Sequence, residues 1–549
     1  MVSDEADEIY CRQPRLGFSS SISKPLLRNA LVLLQRYVLE AFRPATEQEA
    51  ESLRKVTAGL GAPILSPSAA SVTRFHEKYS ALYEGEESSY TSKELGEGVA
   101  EDTAESAPSK RDASARHVSR GTKRPSVLVL STDSKTFGGI QRYAWTWAQA
   151  LYDLGYSPRT VSLWRRGVVP ETSVSRRHAL LFAATALAVT IARRPIAVIC
   201  THIGLSPVAG LLGRLFKIPY AVSLHGDDSW RQPYSTNVEG ALRNARLLLP
   251  VSYFTRDVVA ENLGVDTSRF YVTGSILSPA LELAAARRDP QAYEHALARL
   301  YGCVDEATPR EEASTPKEPV SPTSFGPQRK IITVARLDAN SHYKRHDLVL
   351  RAVAQLATEF PDLTYTIVGD GSYRPFLEKL VAELGIGDRV DFVGKVAEDA
   401  LVEHIASSWC LAMPSRISLD PAEGEGFGLV YLEAGIFGVP SIAARAGGSQ
   451  ETVLDRTTGL LAEPDSLDSL VACMRELLLD SSLRARLGEN ARLRALEFSY
   501  PRFKERCKAV MESLLSDRPP AAIFPEYPRD RLFSDSRREE VAGRLPPDS

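Results

Sequence analysis

The chain has 549 residues, a quarter of them charged, and its 66 Lys and Arg stand against 69 Asp and Glu for a formal net charge of −3. That length exceeds one ordinary hydrophobic core, so at least two domains are expected, and the near balance of charge gives no global case for a nucleic-acid partner. Six cysteines (Cys11, Cys200, Cys303, Cys410, Cys473 and Cys507) are scattered, with no CxxC and no His/Cys cluster, which argues against a zinc site or a disulfide framework and fits a reducing compartment.

In chain order, the opening "MVSDEADEIY" is acidic where a secretory signal is basic and then apolar. Residues 1–123 lack an α/β rhythm: 24–42 has helical periodicity, and 83–123, rich in Glu, Ser, Thr and Lys, reads as disordered. The rhythm starts at 124 with "SVLVLST" as a buried strand, then the glycine turn and helix of "DSKTFGGIQRYAWTWAQALYDLG". The apolar run Ala179 to Ala192 is shorter than the roughly 20 residues that span a bilayer. It reads as a buried helix, with membrane-surface contact as the competing assignment, and "LWRRG" at Leu163–Gly167 would share that role. "PIAVICTHIG", "PYAVSLHG", "ARLLLPVS" and "RFYVTGS" continue the strands. Residues 285–327, rich in Pro, Glu and Ser, read as a linker. The beat then restarts with "KIITVARL", "LTYTIVGDG", "VDFVGKV", "CLAMPS" and "VPSIAAR". Strands alternating with helices mean doubly wound parallel sheets. The expected organisation is an extension over 1–123, an α/β domain over 124–284, a linker over 285–327, a second α/β domain over 328–499, a helix over 500–516 packing back toward the first domain, and a loose tail over 517–549. In such sheets ligands collect at the carboxyl ends of the strands, and two of them face to face make a cleft.

Four motifs fall at those ends. "GEGFGLVYLEAGIFGVPSIAARAGGSQE" carries Glu425 among glycines and Glu433 inside the following helix. The glycines would let backbone approach a ligand, and the helix beginning near Leu429 would aim free N–H groups at it. Two carboxylates without a metal-ligand pattern suit hydrogen bonds to vicinal hydroxyls, as on a sugar or ribose. "VARLDANSHYKRHD" places Arg336 at a strand end and Lys344 before a helix, a pair suited to a diphosphate. Gly138 and Gly139 sit in the first strand-to-helix turn, where backbone amides meet phosphate or sugar. His225 ends an apolar strand and could orient a hydroxyl or carry a proton, and Gly369, Asp370 and Gly371 end another strand.

Together these residues resemble the retaining glycosyltransferases of family 4, which have the GT-B fold: two Rossmann-like domains facing across a cleft. The similarity runs over about 125–515 and is strongest from 330 to 465. The E-x7-E of Glu425 and Glu433, the Arg336/Lys344 pair, "AGG" with Glu451, and "TGLL" at 458–461 carry it. Locally, "EGFGLVYLEAGIFGVP" after the longer loop "SRISLDPAEG" is most similar to the phosphatidylinositol mannosyltransferase branch. The resemblance implies a hexose transferred, with retention of anomeric configuration, from a UDP- or GDP-sugar donor to a glycan or lipid-linked acceptor. It implies no metal and no cofactor beyond the co-substrate. It implies that Arg336 and Lys344 bind the donor diphosphate, Glu425 holds sugar hydroxyls and Glu433 the ribose. Backbone amides around Gly426, Phe427, Gly428 and Leu429 would touch sugar and phosphate, Gly139 would approach the diphosphate from the first domain, and His225 would lie beside donor sugar and acceptor. The expected location is cytoplasmic, at most peripheral on the inner membrane face.

Departures from the family pattern are "SILSPALE" after "RFYVTG", where Asn-Gly-Val is frequent, Arg345 where Gly is common, and the long 285–327 segment. A non-catalytic scaffold for polysaccharide assembly and a nucleotide-sugar epimerase on the same fold are the alternatives. Retention of Glu425, Arg336 and Lys344 speaks against the scaffold. Neither glycine turn reads GxGxxG with an acidic residue about 20 positions on, which disfavours a dinucleotide oxidoreductase.

Overall fold

A computed structural model of the chain describes residues 124–132, 139–163, 176–300, 329–419 and 422–516. The expected extension over 1–123, Gly138, most of the expected linker and the tail beyond 516 lie outside the described residues.

Two parallel sheets organise the described chain. The first contains β1 (Ser126–Ser131), β2 (Ser157–Ser162), β3 (Ala197–Cys200), β4 (Tyr220–Leu224) and β5 (Leu247–Pro250), in the order β2-β1-β3-β4-β5. The second contains β6 (Arg329–Val334), β7 (Leu363–Val368), β8 (Val390–Gly394), β9 (Cys410–Met413), β12 (Ser441–Ala444) and β13 (Gly459–Ala462), in the order β13-β12-β9-β6-β7-β8. Between β9 and β12 lies a short antiparallel hairpin, β10 (Ser418–Leu419) with β11 (Ala422–Glu423). Every pairing within the two large sheets is parallel, so both are doubly wound sheets of the GT-B kind. Their strands are apolar runs because helices cover both faces. One face of the second sheet packs Leu348, Val353 and Leu377, and the other packs Val402, Leu432 and Ile436.

Local sequence explains the elements. In the helix Gly139–Asp153, Tyr143, Trp147, Ala150 and Leu151 are buried, a stripe at helical spacing that fixes which face meets β1. The helix Tyr253–Leu263 begins at Ser252, whose Oγ accepts from the Thr255 N–H, and ends at Gly264 in the left-handed region, a capped start and a glycine stop. The helix Arg176–Arg193 contains the apolar run 179–192 and buries Leu180, Phe182, Ala183, Ala186 and Leu187. Among the described residues no helix is long and apolar enough to cross a membrane.

Three segments differ from the expectation. The helices Pro279–Arg288 and Pro290–Leu300 occupy the start of the presumed linker, and Ala285 and Ala296 are buried in the core of the second domain. The Pro- and Glu-rich composition begins only after this helix-forming stretch. β2 falls in a segment with no strand expected and carries Pro158 at the sheet edge, where a strand needs hydrogen bonds on one side only. "RFYVTGS" runs beside β5, with Tyr271 N donating to Leu248 O at 2.9 Å and Thr273 N to Pro250 O at 2.9 Å, and then turns at Gly274 (φ 63°) before it forms a strand.

That turn leads into a crossing between the domains. The chain passes over at 275–278 and returns at 497–499, where Leu277 N donates to Phe498 O at 2.9 Å. The returning helix, Tyr500–Leu515, buries Phe503, Cys507, Val510, Met511 and Leu514 in the first domain's core. Arg506, only 1% exposed, holds both crossings. Its guanidinium donates to Glu497 O at 2.9 Å and to Ser275 O at 3.3 Å and lies over the Phe498 and Phe503 rings. Leaving buried carbonyls without donors costs about 1–3 kcal/mol each, and the vacated volume adds to that. Arg506→Ala should therefore lower stability by about 3 kcal/mol or more, read as an earlier midpoint in urea denaturation. An unshifted midpoint would show that the crossings hold without it.

Candidate functional site

The second sheet reverses its winding between β6 and β9, which are adjacent, and such a switch point opens a crevice at the strand ends. Beyond β6 the chain makes a 3-10 turn, Ala339–Lys344, and leaves it through Arg345 at φ 60°. A left-handed residue here accounts for the glycine common at this position in the family. Arg345 takes it with its guanidinium on Asp347 at 3.1 and 3.2 Å and paired to Asp465. The turn sets Lys344 under the crevice. Its Nζ is 2.8 Å from Glu425 Oε2, 3.9 Å from Met413 Sδ at the end of β9 and 5.2 Å from the Tyr343 ring centre. Burial works most strongly against the charge on Lys344, but the Glu425 carboxylate, its hydrogen bond and the Tyr343 oxygen together outweigh it, and the ammonium is held more firmly protonated than usual.

Glu425 lies in the loop after β11, and Glu433 in the helix Leu429–Gly435, entered through Gly428 at φ 89°. Across from them the helix Gly139–Asp153 supplies Gly139 and Arg142. Arg142 Nη1 donates to Glu433 Oε1 at 3.2 Å. Lys344, Glu425, Glu433, Gly139 and Arg142, with Gly428 and Leu429, line a cavity of about 240 Å³.

The glycines of the loop serve the protein itself. A Cβ on Gly426 would stand 2.4 Å from His225 O and 2.7 Å from Gly226 Cα. This glycine therefore lets the two domains touch backbone to backbone, where the sequence suggested room for a ligand. Phe427 turns inward, 6% exposed, with its ring edge-on to Phe498 at 5.1 Å between centres. On the facing side, His225 follows β4. Its Nε2 is 2.8 Å from Thr201 O, and a carbonyl only accepts, so Nε2 carries the proton and Nδ1 is the basic nitrogen. Burial lowers the ring's pKa, opposed by Asp228, and the edge of Tyr143 packs on it at 4.9 Å.

Other expected residues stand apart from the cavity. Arg336 is exposed (78% of its side chain) and ion-paired to Asp338 at 3.2 Å, so of the two cations expected to face the cleft only Lys344 lines it. Gly369, at φ 135°, lets β7 pass Ala335: a Cβ there would stand 1.8 Å from Ala335 O. Asp370 accepts from Gly371 N at 2.9 Å, and neither residue lines the cavity. Gly138 is outside the described residues. Sequence reasoning missed Arg142. The available signal was its spacing, three residues past Gly139 and so on the same helix face as the glycine turn.

Glu451, noticed in the sequence only as part of a motif, ties the domains together. Its Oε2 accepts from Tyr253 N at 2.7 Å and its Oε1 from Phe254 N at 2.8 Å, at the start of the first domain's helix Tyr253–Leu263. Burial pushes this carboxyl up to about 7, against the pull of those two amides. Among the described residues no group of three or more His, Cys, Asp or Glu is placed to hold a metal ion.

Residues 137–274 match the family described as "Glycosyltransferase Family 4", and residues 314–494 match "Glycosyl transferases group 1". The chain belongs to the family 4 glycosyltransferases. A GDP-mannose-dependent alpha-(1-6)-phosphatidylinositol monomannoside mannosyltransferase of Mycolicibacterium smegmatis is 36% identical over 154 residues, which are 28% of this chain and 40% of the relative. The chain thus spans less than half the length of that relative. An alpha-D-kanosaminyltransferase of Streptomyces kanamyceticus is 25% identical over 293 residues, 51% of this chain and 67% of the relative. Among solved structures, a glycosyltransferase from Rickettsia africae aligns with a TM-score of 0.54 at 15% identity, covering 72% of this chain and all of its own, a likeness of fold.

Gly426→Ala places a methyl where first-domain backbone lies, so the domains should fail to close. Activity should fall at least about tenfold, since an ångström of misplacement alone costs up to 100-fold, while the melting temperature barely moves. Activity near wild type would mean that the contact is not required. His346 is 1% exposed, neither ring nitrogen has a hydrogen-bond partner, and burial, with Lys344 nearby, lowers its pKa to about 3. The unfolded chain then binds the proton first, so this residue removes stability as pH falls below about 6.5, and continues to do so down to its folded value. His346→Leu should flatten the loss of stability between pH 6.5 and 4 (both limits approximate), measured by urea denaturation across that window. An unchanged slope would place the titration elsewhere.

Proposed function

We propose that this chain is a retaining hexosyltransferase that takes a sugar from a nucleotide-sugar donor and passes it to a glycan or lipid-linked acceptor. The observation that carries this is the cavity at the switch point, where Lys344 and Glu425 meet Arg142 and Glu433 across the cleft. Two cations suit a diphosphate and two carboxylates suit sugar hydroxyls. The mannosyltransferase relative makes GDP-mannose the first donor to try.

In the reaction the bond from the sugar's anomeric carbon to the β-phosphate oxygen breaks, and a bond from the same carbon to the acceptor oxygen forms on the same face. The acceptor's proton goes to the departing phosphate oxygen. Charge accumulates on the leaving diphosphate, and Lys344, fixed in place and firmly protonated, offsets it before the reaction begins. Glu425 exchanges Lys344 for sugar hydroxyls, and Glu433 exchanges Arg142 for the ribose. His225, neutral and basic at Nδ1, orients a hydroxyl near the acceptor. Closure of the domains excludes water, which would otherwise compete as acceptor.

The test is transfer by purified protein with GDP-mannose, UDP-glucose and related donors, alongside a thermal-shift screen with the free nucleotides. One nucleotide should raise the melting temperature by binding the folded state. Lys344→Met and Glu425→Ala should each reduce transfer about 100- to 1,000-fold, the scale for losing one preset charge partner of the transition state, with folding retained. Transfer should persist with excess chelator. No nucleotide shift, or either variant near wild type, would sink this assignment.

A further inference from the structure

We infer that Arg142, in the first domain, is the second diphosphate-binding cation of the closed cleft, parked on Glu433 until the donor arrives. The inference rests on the nucleotide-sugar reading of the cavity and adds a residue to it.

The diphosphate of a nucleotide sugar brings two negative charges into a half-buried site, and a positive partner for each offsets its desolvation. The cavity lining holds two cations, Lys344 and Arg142. Arg336, the cation that the sequence put beside Lys344, points to solvent on Asp338. The cavity lining is neutral by internal pairing, Lys344 on Glu425 at 2.8 Å and Arg142 on Glu433 at 3.2 Å. Donor entry frees both cations at once: the carboxylates turn to hydroxyls, and the cations turn to phosphate oxygens. Arg142 is suited to this, since its planar fork takes two oxygens where a lysine takes one. It is 26% exposed in its pair with Glu433, near enough to the open cavity to be reached. It stands one helical turn from Gly139, whose position faces the Leu429 side chain. Glu398, bonded by Ser278 Oγ at 3.2 Å, is a further acidic group whose charge Arg142 feels. It adds attraction that keeps the guanidinium at the interface rather than in solvent. Because Arg142 belongs to the first domain and Lys344 to the second, a diphosphate held by both draws the cleft shut.

A purely structural tie between Arg142 and Glu433 makes a different forecast, so ligands separate the two. The experiment is calorimetric titration of the full-length chain, wild type, Arg142→Met and Arg142→Lys, with GDP against guanosine and UDP against uridine. For the base that the wild type binds, the diphosphate should bind more tightly than the nucleoside. In Arg142→Met that advantage should shrink about 10- to 100-fold, the worth of a charge-assisted pair, with nucleoside affinity little changed. Arg142→Lys should recover part of it, because it keeps charge without the fork. If diphosphate and nucleoside affinities fall in step, or neither falls, Arg142 is not on the diphosphate and the inference is overturned. If Arg142→Met does not fold, Arg142→Lys decides alone: an unchanged advantage there, with its lost bidentate geometry, overturns it too. Wild-type protein that binds neither nucleotide overturns the nucleotide-sugar reading itself, a result distinct from loss of the Arg142 effect alone.

Discussion

A cleft lined with charge must balance that charge within its own walls. Uncompensated charges taken out of water cost several kcal/mol each, and this site encloses two cations and two carboxylates. The arrangement that results is two ion pairs. Lys344 and Glu425 pair within the second domain, and Arg142 and Glu433 pair between the domains. The first pair pre-positions the cation at the switch point, and the second spans the gap that a ligand must fill. The same side chains that pair with one another therefore have partners to exchange with a ligand: the cations pass to phosphate oxygens, and the carboxylates keep hydrogen-bond partners in the hydroxyls.

The rest of the architecture brings these four groups within reach of each other. The turns that follow β4 and β6 bring His225 against Gly426 and Lys344 into the cavity lining. Domain contact is closest at Gly426, where only a hydrogen fits against His225 and Gly226, so the glycine loop sets how far the domains close. At the far side the crossings at 275–278 and 497–499 are bonded to one another and to the buried guanidinium of Arg506. The closing helix, Tyr500–Leu515, is last in the described chain but packs as part of the first domain.

Much of this was legible in the sequence. Apolar runs alternating with amphipathic segments specified two parallel sheets, because periodicity reports burial directly. The lysine before a helix and the glutamate among glycines pointed to Lys344 and Glu425, which the fold does pair. Properties that depend on long-range contact were not legible. No local pattern says that Gly426 faces another backbone or that Gly369 makes room for Ala335. Arg336 and Lys344 look alike in sequence, but Asp338, two residues on, captures the first and leaves only the second in the cavity. Arg142 reads as one more polar residue on an amphipathic helix until Glu433, 291 positions away, is set beside it. The helix Pro290–Leu300 was hidden by averaging it with the Pro-rich stretch that follows.

Glu451 gives the interface a threshold. Its two oxygens bind two consecutive amides at 2.7 and 2.8 Å, and those amides begin a helix. A small parting of the domains strains both bonds together, and a larger one releases both together. The contact behaves as a catch, with its resistance concentrated in the first ångström of travel. Cleft opening then resembles a switch between two positions rather than a graded widening, and a molecule seated inside stays enclosed until the catch lets go.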